Sequence, residues 1–272
     1  MKYHGGGAAT GEGGYQVLPF APERRIVADS GRMAHSRHVS YGLLEIDVTR
    51  PRESMRRHKE QTGETLSFTA FIVACLARAV KAYPSVQAYR SGGNRLVVFD
   101  DVDVVTMIET KVDKVALPHV IRAADRKTFR EIHDEIRAVQ SSPARSAQTN
   151  SLMQLGPRAP SFVRDLFYWF MKRDVRRFKA FSGTVVVTSV GMFGRGSGWG
   201  LSFLPMHTLG LTIGSIAPKP GVVDGRVEIR EHLCLTLAID HDVVDGAPAA
   251  RFVGLLIESI ESGYGLDDSE AS

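Results

Sequence analysis

The sequence predicts an α+β fold in two layers, a mixed β-sheet flanked by helices. Helix-like and strand-like stretches alternate without the regular βα rhythm of a doubly wound sheet. The segment GVVDGRVEIR (221–230) reads as an antiparallel hairpin, and no internal repeat is visible. With 272 residues, 43% of them hydrophobic and 24% charged, the chain can build a substantial core of ordinary soluble composition.

The opening residues 1–19, rich in glycine, read as a disordered leader without the apolar core of a signal peptide. Residues 39–49 (VSYGLLEIDVT) are strand-like, and Thr49 with Pro51 opens a helix that stops near Gly63. LSFTAFIVACLARAVKAYP is apolar around most of its circumference, which predicts a buried helix with Ser67 as N-cap and Pro84 just past its end. Short strands follow around RLVVF, VDVVTMIE and VALPHVIR. DRKTFREIHDEIRAVQ then sets Phe129, Ile132, Ile136 and Val139 on one helical face. Residues 141–160 are loop-like. Residues 161–181 predict one amphipathic helix, a stripe of Phe162, Val163, Leu166, Phe167, Phe170 and Met171 followed by Lys172, Arg173, Arg176, Arg177 and Lys179. Packing on the domain or on a neighbouring subunit is favoured for it over membrane-surface contact, because such stripes mostly serve protein cores. Strands at GTVVVTSVGMFG, TLGLTIGSI and RVEIREHLCLTLAID lead into a closing helix, and residues 266–272 form a tail.

Several function classes recede at this point. No apolar run is long enough to span a bilayer, which predicts a cytoplasmic protein. A net charge of +4 tolerates an anionic ligand but does not predict nucleic-acid binding. Cys75 and Cys234 lie in apolar runs and read as reduced core residues. GMFGRGSGWG lacks both the dinucleotide-binding spacing and the P-loop lysine, so it reads as a flexible loop. Lys114 in KVDKVAL reads as a turn lysine, since no small all-β carrier module surrounds it. No histidine spacing suggests a metal, and no G-x-S-x-G elbow is present.

Asp240, His241, Asp242 and Asp245, closed by Gly246, concentrate four ionisable groups between a strand and a helix. A carboxylate beside a histidine can orient a general base. Spacing alone favours a polar turn with Asp245 as N-cap. The stretch DHDVVDGAPAARF, however, resembles the active-site signature of the dihydrolipoyl acyltransferases, the catalytic domain of 2-oxoacid dehydrogenase complexes, and of the related chloramphenicol acetyltransferases. Arg24 with Arg25, LSFTAFIVACLARAVKAYP, VALPHVIRAADRKTFREI, GTVVVTSVGMFG and GSIAPKPGVVDGRVEIR agree in order. The resemblance covers residues 20 to about 262, and a catalytic domain is expected over 20–265 with residues 161–181 inserted in it.

The resemblance implies a chloramphenicol acetyltransferase-like sandwich, assembled as a homotrimer or higher cage with sites between subunits. It implies coenzyme A as substrate and no metal. His241 would deprotonate the attacking thiol, and the hydroxyl of Thr188 would stabilise the oxyanion. Ser189, one residue along, would face the other side of the strand. Asp245 would hold the site in shape through an arginine, for which Arg24 and Arg25 are the candidates. Three departures stand out. Asp242 occupies the place of the family's arginine and would raise the basicity of His241. The segment before GTVVVTS is longer than usual. No lipoyl domain is present, so the acyl donor is a small molecule or a lipoyl domain supplied in trans. The alternative activity is an esterase or thioesterase that uses the same His241 and Thr188 to pass the acyl group to water, and a structural trimer without chemistry is disfavoured by the intact motif.

Overall fold

The computed structural model describes residues 9–10, 16–35, 37–92, 94–109, 116–142, 158–190 and 196–266. Its frame is a six-stranded mixed sheet. The strands are β3 (Val39–Asp47), β6 (Val104–Glu109), β7 (Ala116–Ile121), β8 (Val185–Ser189), β9 (Leu209–Val223) and β10 (Arg226–Asp240), in the order β3-β10-β9-β8-β6-β7. β6, β8 and β9 run parallel to their neighbours in that series, while β3, β10 and β7 join antiparallel. Two small ladders stand apart, β1 (Ala9–Thr10) with β2 (Gln16–Val17) and β4 (Tyr89–Ser91) with β5 (Arg95–Val97).

One face of the sheet carries the helix layer: α2 (Thr49–Thr62), α3 (Phe68–Ala82), α4 (Phe129–Ser141) and α7 (Gly246–Ser262). α3 is the central helix, with Phe71, Ile72, Cys75 and Leu76 all fully buried against sheet residues such as Val187, Leu211 and Leu235. Ser67 caps it, accepting the Ala70 N–H at 3.2 Å. α2 ends on Gly63 in the left-handed region. α4 starts from a full capping box between Thr128 and Glu131. Cys75 and Cys234 are both buried, and burial pushes the Cys75 thiol up, which leaves it unreactive.

The opposite face is crossed by the chain from residue 196 to 206. Ser215 N–H donates to Gly198 O at 3.1 Å, and the Trp199 indole N–H donates to Leu44 O at 3.1 Å. Gly214 permits this approach, since a Cβ there would lie 2.4 Å from Gly198 O and 2.6 Å from Cys234 O. The part of GMFGRGSGWG within the described residues is therefore packed on the sheet. β9 and β10 meet in the hairpin read from the sequence, turning at Asp224 and Gly225 with φ of 49° and 77°. Val222, Val227 and Ile229 near its tip are exposed.

Two features differ from the sequence reading. A helix α1 (Pro22–Ala34) precedes β3 and carries Arg24 and Arg25. Residues 161–181 form not one helix but two, α5 (Ser161–Arg173) and α6 (Val175–Ser182). The break is at Asp174, which leaves helical geometry and caps α6 by accepting the Arg176 N–H at 3.0 Å. α6 is anchored by Val175 and Phe178 in a small core with Tyr89 and Met206. No residue of α5 is buried, and Arg164 ties it to α1 through the buried Asp29 at 2.6 Å. Burial alone would raise the Asp29 carboxyl, but the guanidinium groups of Arg164 and Arg32 outweigh it and hold it below its ordinary value.

Candidate active site

β10 lies next to the edge strand β3, its second half is buried, and at Asp240 it runs out into a tight turn that ends at the first residue of α7. The four ionisable groups there do different things. Asp240 is 5% exposed and faces inward, where Arg37 donates to its carboxylate. The same guanidinium donates to Met206 O at 2.6 Å, so Arg37 ties the turn to the segment before β9. Asp240 O accepts from Val243 N–H and Val244 N–H, both at 3.1 Å, and its Oδ1 accepts from Asp242 N–H at 3.2 Å. Val244 is buried and plugs the turn into the core. Asp240 is thus the anchor of the loop.

His241 continues the β3–β10 ladder by donating its N–H to His38 O at 2.8 Å. Its imidazole is exposed and has no hydrogen-bond partner among the described residues. Asp242 meets His38 Nδ1 at 2.9 Å. This bond, ahead of the Coulomb attraction of Asp242, raises the His38 pKa, and it lowers that of Asp242 in turn. The negative charge at 242 therefore has its own histidine, His38, as direct partner. Asp245 sits at the N-cap of α7, where its backbone O accepts the Ala249 N–H at 3.1 Å while its carboxylate caps nothing. Gly246 follows as the first helical residue.

Thr188 lies on β8, opposite Thr212 of β9, which is opposite Thr236 of β10. The three hydroxyl side chains share the sheet face crossed by residues 196–206, and Ser202 Oγ lies 2.9 Å from Thr212 Oγ1. Thr188 is half-buried, and its hydroxyl has no partner among the described residues. Ser189 pairs with Ile213 and so stands on the opposite face.

The sheet register fixes how far apart these groups are. Thr188 is two strands from Thr236, and His241 lies five residues further along β10. At about 3.3 Å per residue and ~4.8 Å per strand, the backbones of Thr188 and His241 are roughly 19 Å apart. One chain does not bring base and hydroxyl together. Arg24 and Arg25 are exposed on α1, and no hydrogen bond or ion pair joins either to Asp245 among the described residues. The arginine held by the motif within the chain is Arg37, and the carboxylate it holds is Asp240. Antiparallel pairing explains this: Val39 opposes Asp240, so residues 37 and 38 fall beside the turn. The sequence carries that signal only once β3 and β10 are recognised as neighbours. Lys114 lies outside the described residues.

A second ionic cluster lies in the helix layer, between the end of α2 and α4. Ligand atoms of Glu64, His133 and Asp134 lie within 4.8 Å of one another. Arg130 donates to both Glu64 oxygens, at 2.6 and 3.0 Å, and Ser67 N–H donates to His133 Nδ1 at 3.0 Å. These bonds take both Glu64 oxygens and His133 Nδ1, while His133 Nε2 lies 3.3 Å from Glu64 Oε1. The Arg130 guanidinium leads in holding the Glu64 carboxyl down to about 2.

Comparison with known proteins gives one consistent answer. Residues 12–154 and 173–266 match the family model described as 2-oxoacid dehydrogenases acyltransferase (catalytic domain). The unmatched residues between those spans cover nearly all of α5. The chain is 26% identical over 255 residues to the lipoamide acyltransferase component of the branched-chain alpha-keto acid dehydrogenase complex of Bacillus subtilis, covering 92% of this chain and 53% of that protein. It therefore spans about half the length of that relative. Among solved structures, a probable dihydrolipoamide acetyltransferase from Listeria monocytogenes superposes with a TM-score of 0.69 at 21% identity, covering 93% of this chain and 97% of the other. A chloramphenicol acetyltransferase superposes with a TM-score of 0.50 at 14% identity, over 87% and 93% of the two chains. The two-layer fold is that of these proteins, and with the model matched along most of its length, the chain belongs to the family of 2-oxoacid dehydrogenase acyltransferase catalytic domains.

Proposed function

We propose that the protein transfers an acyl group between coenzyme A and a thiol carrier. Residues 20–265 act as the catalytic domain, with 1–19 and 266–272 outside it and α5 and α6 inserted in it. The observation that carries this reading is the family match together with an exposed His241 on a rigidly anchored turn. His241 accepts the proton of the incoming thiol. The thiolate adds to the acyl carbonyl, and the resulting oxyanion takes a hydrogen bond from the Thr188 hydroxyl. Collapse breaks the old thioester bond, and the departing thiolate recovers the proton from the His241 imidazolium. No metal takes part.

The roughly 19 Å between Thr188 and His241 supports an active site completed by a second copy of the chain, in a homotrimer or a larger assembly of trimers. Asp245, whose carboxylate has no hydrogen-bond or ion-pair partner among the described residues, is offered to the same interface. The carrier is a small dithiol or a lipoyl domain supplied in trans, in the cytoplasm. Hydrolysis of the same thioesters is the alternative, and no comparison favours it.

The test is transfer from acetyl-, succinyl- or isobutyryl-CoA to free dihydrolipoamide, with release to water followed in the same sample. Transfer at least tenfold faster than hydrolysis is expected, and the reverse order would overturn the assignment. Mixing inactive His241→Ala and Thr188→Ala chains should restore part of the activity, because a mixed assembly contains interfaces with both groups intact. A monomer with full activity would overturn the shared site.

A further inference from the structure

We propose that His38 is a positioning residue, clasping Asp242 so that the turn presents His241 in its working orientation. This rests on the reading of His241 as the base. Residues 37–38 and 240–242 meet in three contacts, and a fourth closes the turn on itself. Arg37 donates to Asp240, His241 N–H donates to His38 O at 2.8 Å, His38 Nδ1 meets Asp242 Oδ1 at 2.9 Å, and Asp242 N–H donates to Asp240 Oδ1 at 3.2 Å. His241 is thereby flanked by a buried tie on one side and the His38–Asp242 pair on the other. The buried tie fixes where the strand ends. The outer pair fixes the peptide that follows His241, whose own side chain is held by nothing among the described residues. An imidazole without its own hydrogen bond depends on its backbone for aim, and misplacement of a reacting group by about 1 Å is costly.

The clasp is also sensitive to protonation. The charges that face it are Asp242 and Asp240 on the turn, Arg37 beside His38, and Arg90 of β4, which acts on Asp242. His38 is raised by its bond to Asp242, so the charged pair is complete at low pH and weakens as pH rises through the elevated His38 pKa. Both side chains are solvent-exposed, 78% and 39%, so the pair stays open to salt. Its effect belongs in kcat rather than in overall stability.

The experiment is a double-mutant cycle on the full chain, with acetyl-CoA and dihydrolipoamide as substrates. His38→Ala and Asp242→Asn should each lower kcat by roughly ten- to a hundredfold with KM changed less than about threefold. The double variant should be no slower than the slower single, because the two lose one shared contact. His38→Asn, which keeps a donor near the Nδ1 position, should recover most of the loss. The wild type should show an alkaline decline in kcat that His38→Asn lacks. Additive losses, or an unchanged kcat with a normal melting curve, would overturn the proposal. His241→Ala separates the two readings: if it stays active the assignment of the base fails, and if it is inactive while His38→Ala is normal only the clasp fails.

Discussion

Asp240 and Asp245 stand five positions apart in one motif, yet they place opposite demands on the fold. Asp240 is buried with Arg37, and removing one member of such a pair leaves the other charge uncompensated. Asp240→Ala is expected to cost roughly 3–5 kcal/mol in denaturant unfolding. Asp245 is exposed and caps nothing, so Asp245→Ala should shift unfolding of the dissociated chain by about 0.5 kcal/mol or less, with its effect confined to activity and assembly. Equal losses in the two variants would contradict this division. The sequence announced the motif, because His241, Asp245 and Gly246 are local in the chain. It did not announce Arg37, since an ion pair across 203 positions exists only through strand register.

Elements with strong local signals formed where their residues called for them. α3 has a serine cap, a run of apolar residues and a proline beyond its end. α4 has its capping box, and Thr128→Ala is expected to cost about 1 kcal/mol, read as a lower melting temperature with kcat unchanged. The break inside 161–181 was harder to read. Asp174 is compatible with a helix interior by composition, and what decides is the burial of Val175 and Phe178 in the small core with Tyr89. α5 then stands out from that anchor with Phe162, Leu166, Trp169 and Phe170 exposed. Trp169 and Phe170 lie beneath Arg173 and Arg177 at 5.2 and 4.0 Å. If α5 covers the mouth of the acyl path, alanine at Phe167, Trp169 or Phe170 shifts KM or acyl-length preference and leaves assembly intact. Dissociation with unchanged specificity would make it a buttress instead.

For the molecule as a whole, acid stability turns on two groups outside the motif, His207 behind its anchor and Glu64 in the helix layer. Burial, ahead of the neighbouring Arg37, drives the His207 imidazole down to about 4, against the ordinary 6.5, although its Nε2 bond to Ser182 O at 2.9 Å works the other way. A depressed histidine stabilises the fold above its unfolded pKa, and that contribution is lost as pH falls from 6.5 toward about 4. The loss amounts to at most roughly 3 kcal/mol. Glu64 adds a second step, from about its ordinary 4.5 down to about 2, as protonation releases Arg130. His207→Gln should therefore unfold with a shallower dependence between pH 6.5 and 4, measured as the denaturation midpoint across that range.

The pairing of β3 with β10 also has a consequence in time. Residues 39–47 are made before β4 to β9, and their partners at 232–240 arrive only after all of those strands. Until then β3 offers an unpaired edge to whatever is nearby. The clasp of Arg37 and His38 on the turn can close only once residues 240–242 have been made. A ribosome-stalled chain cut at residue 230 should remain open to proteolysis throughout its first strand, while one released at 266 should resist.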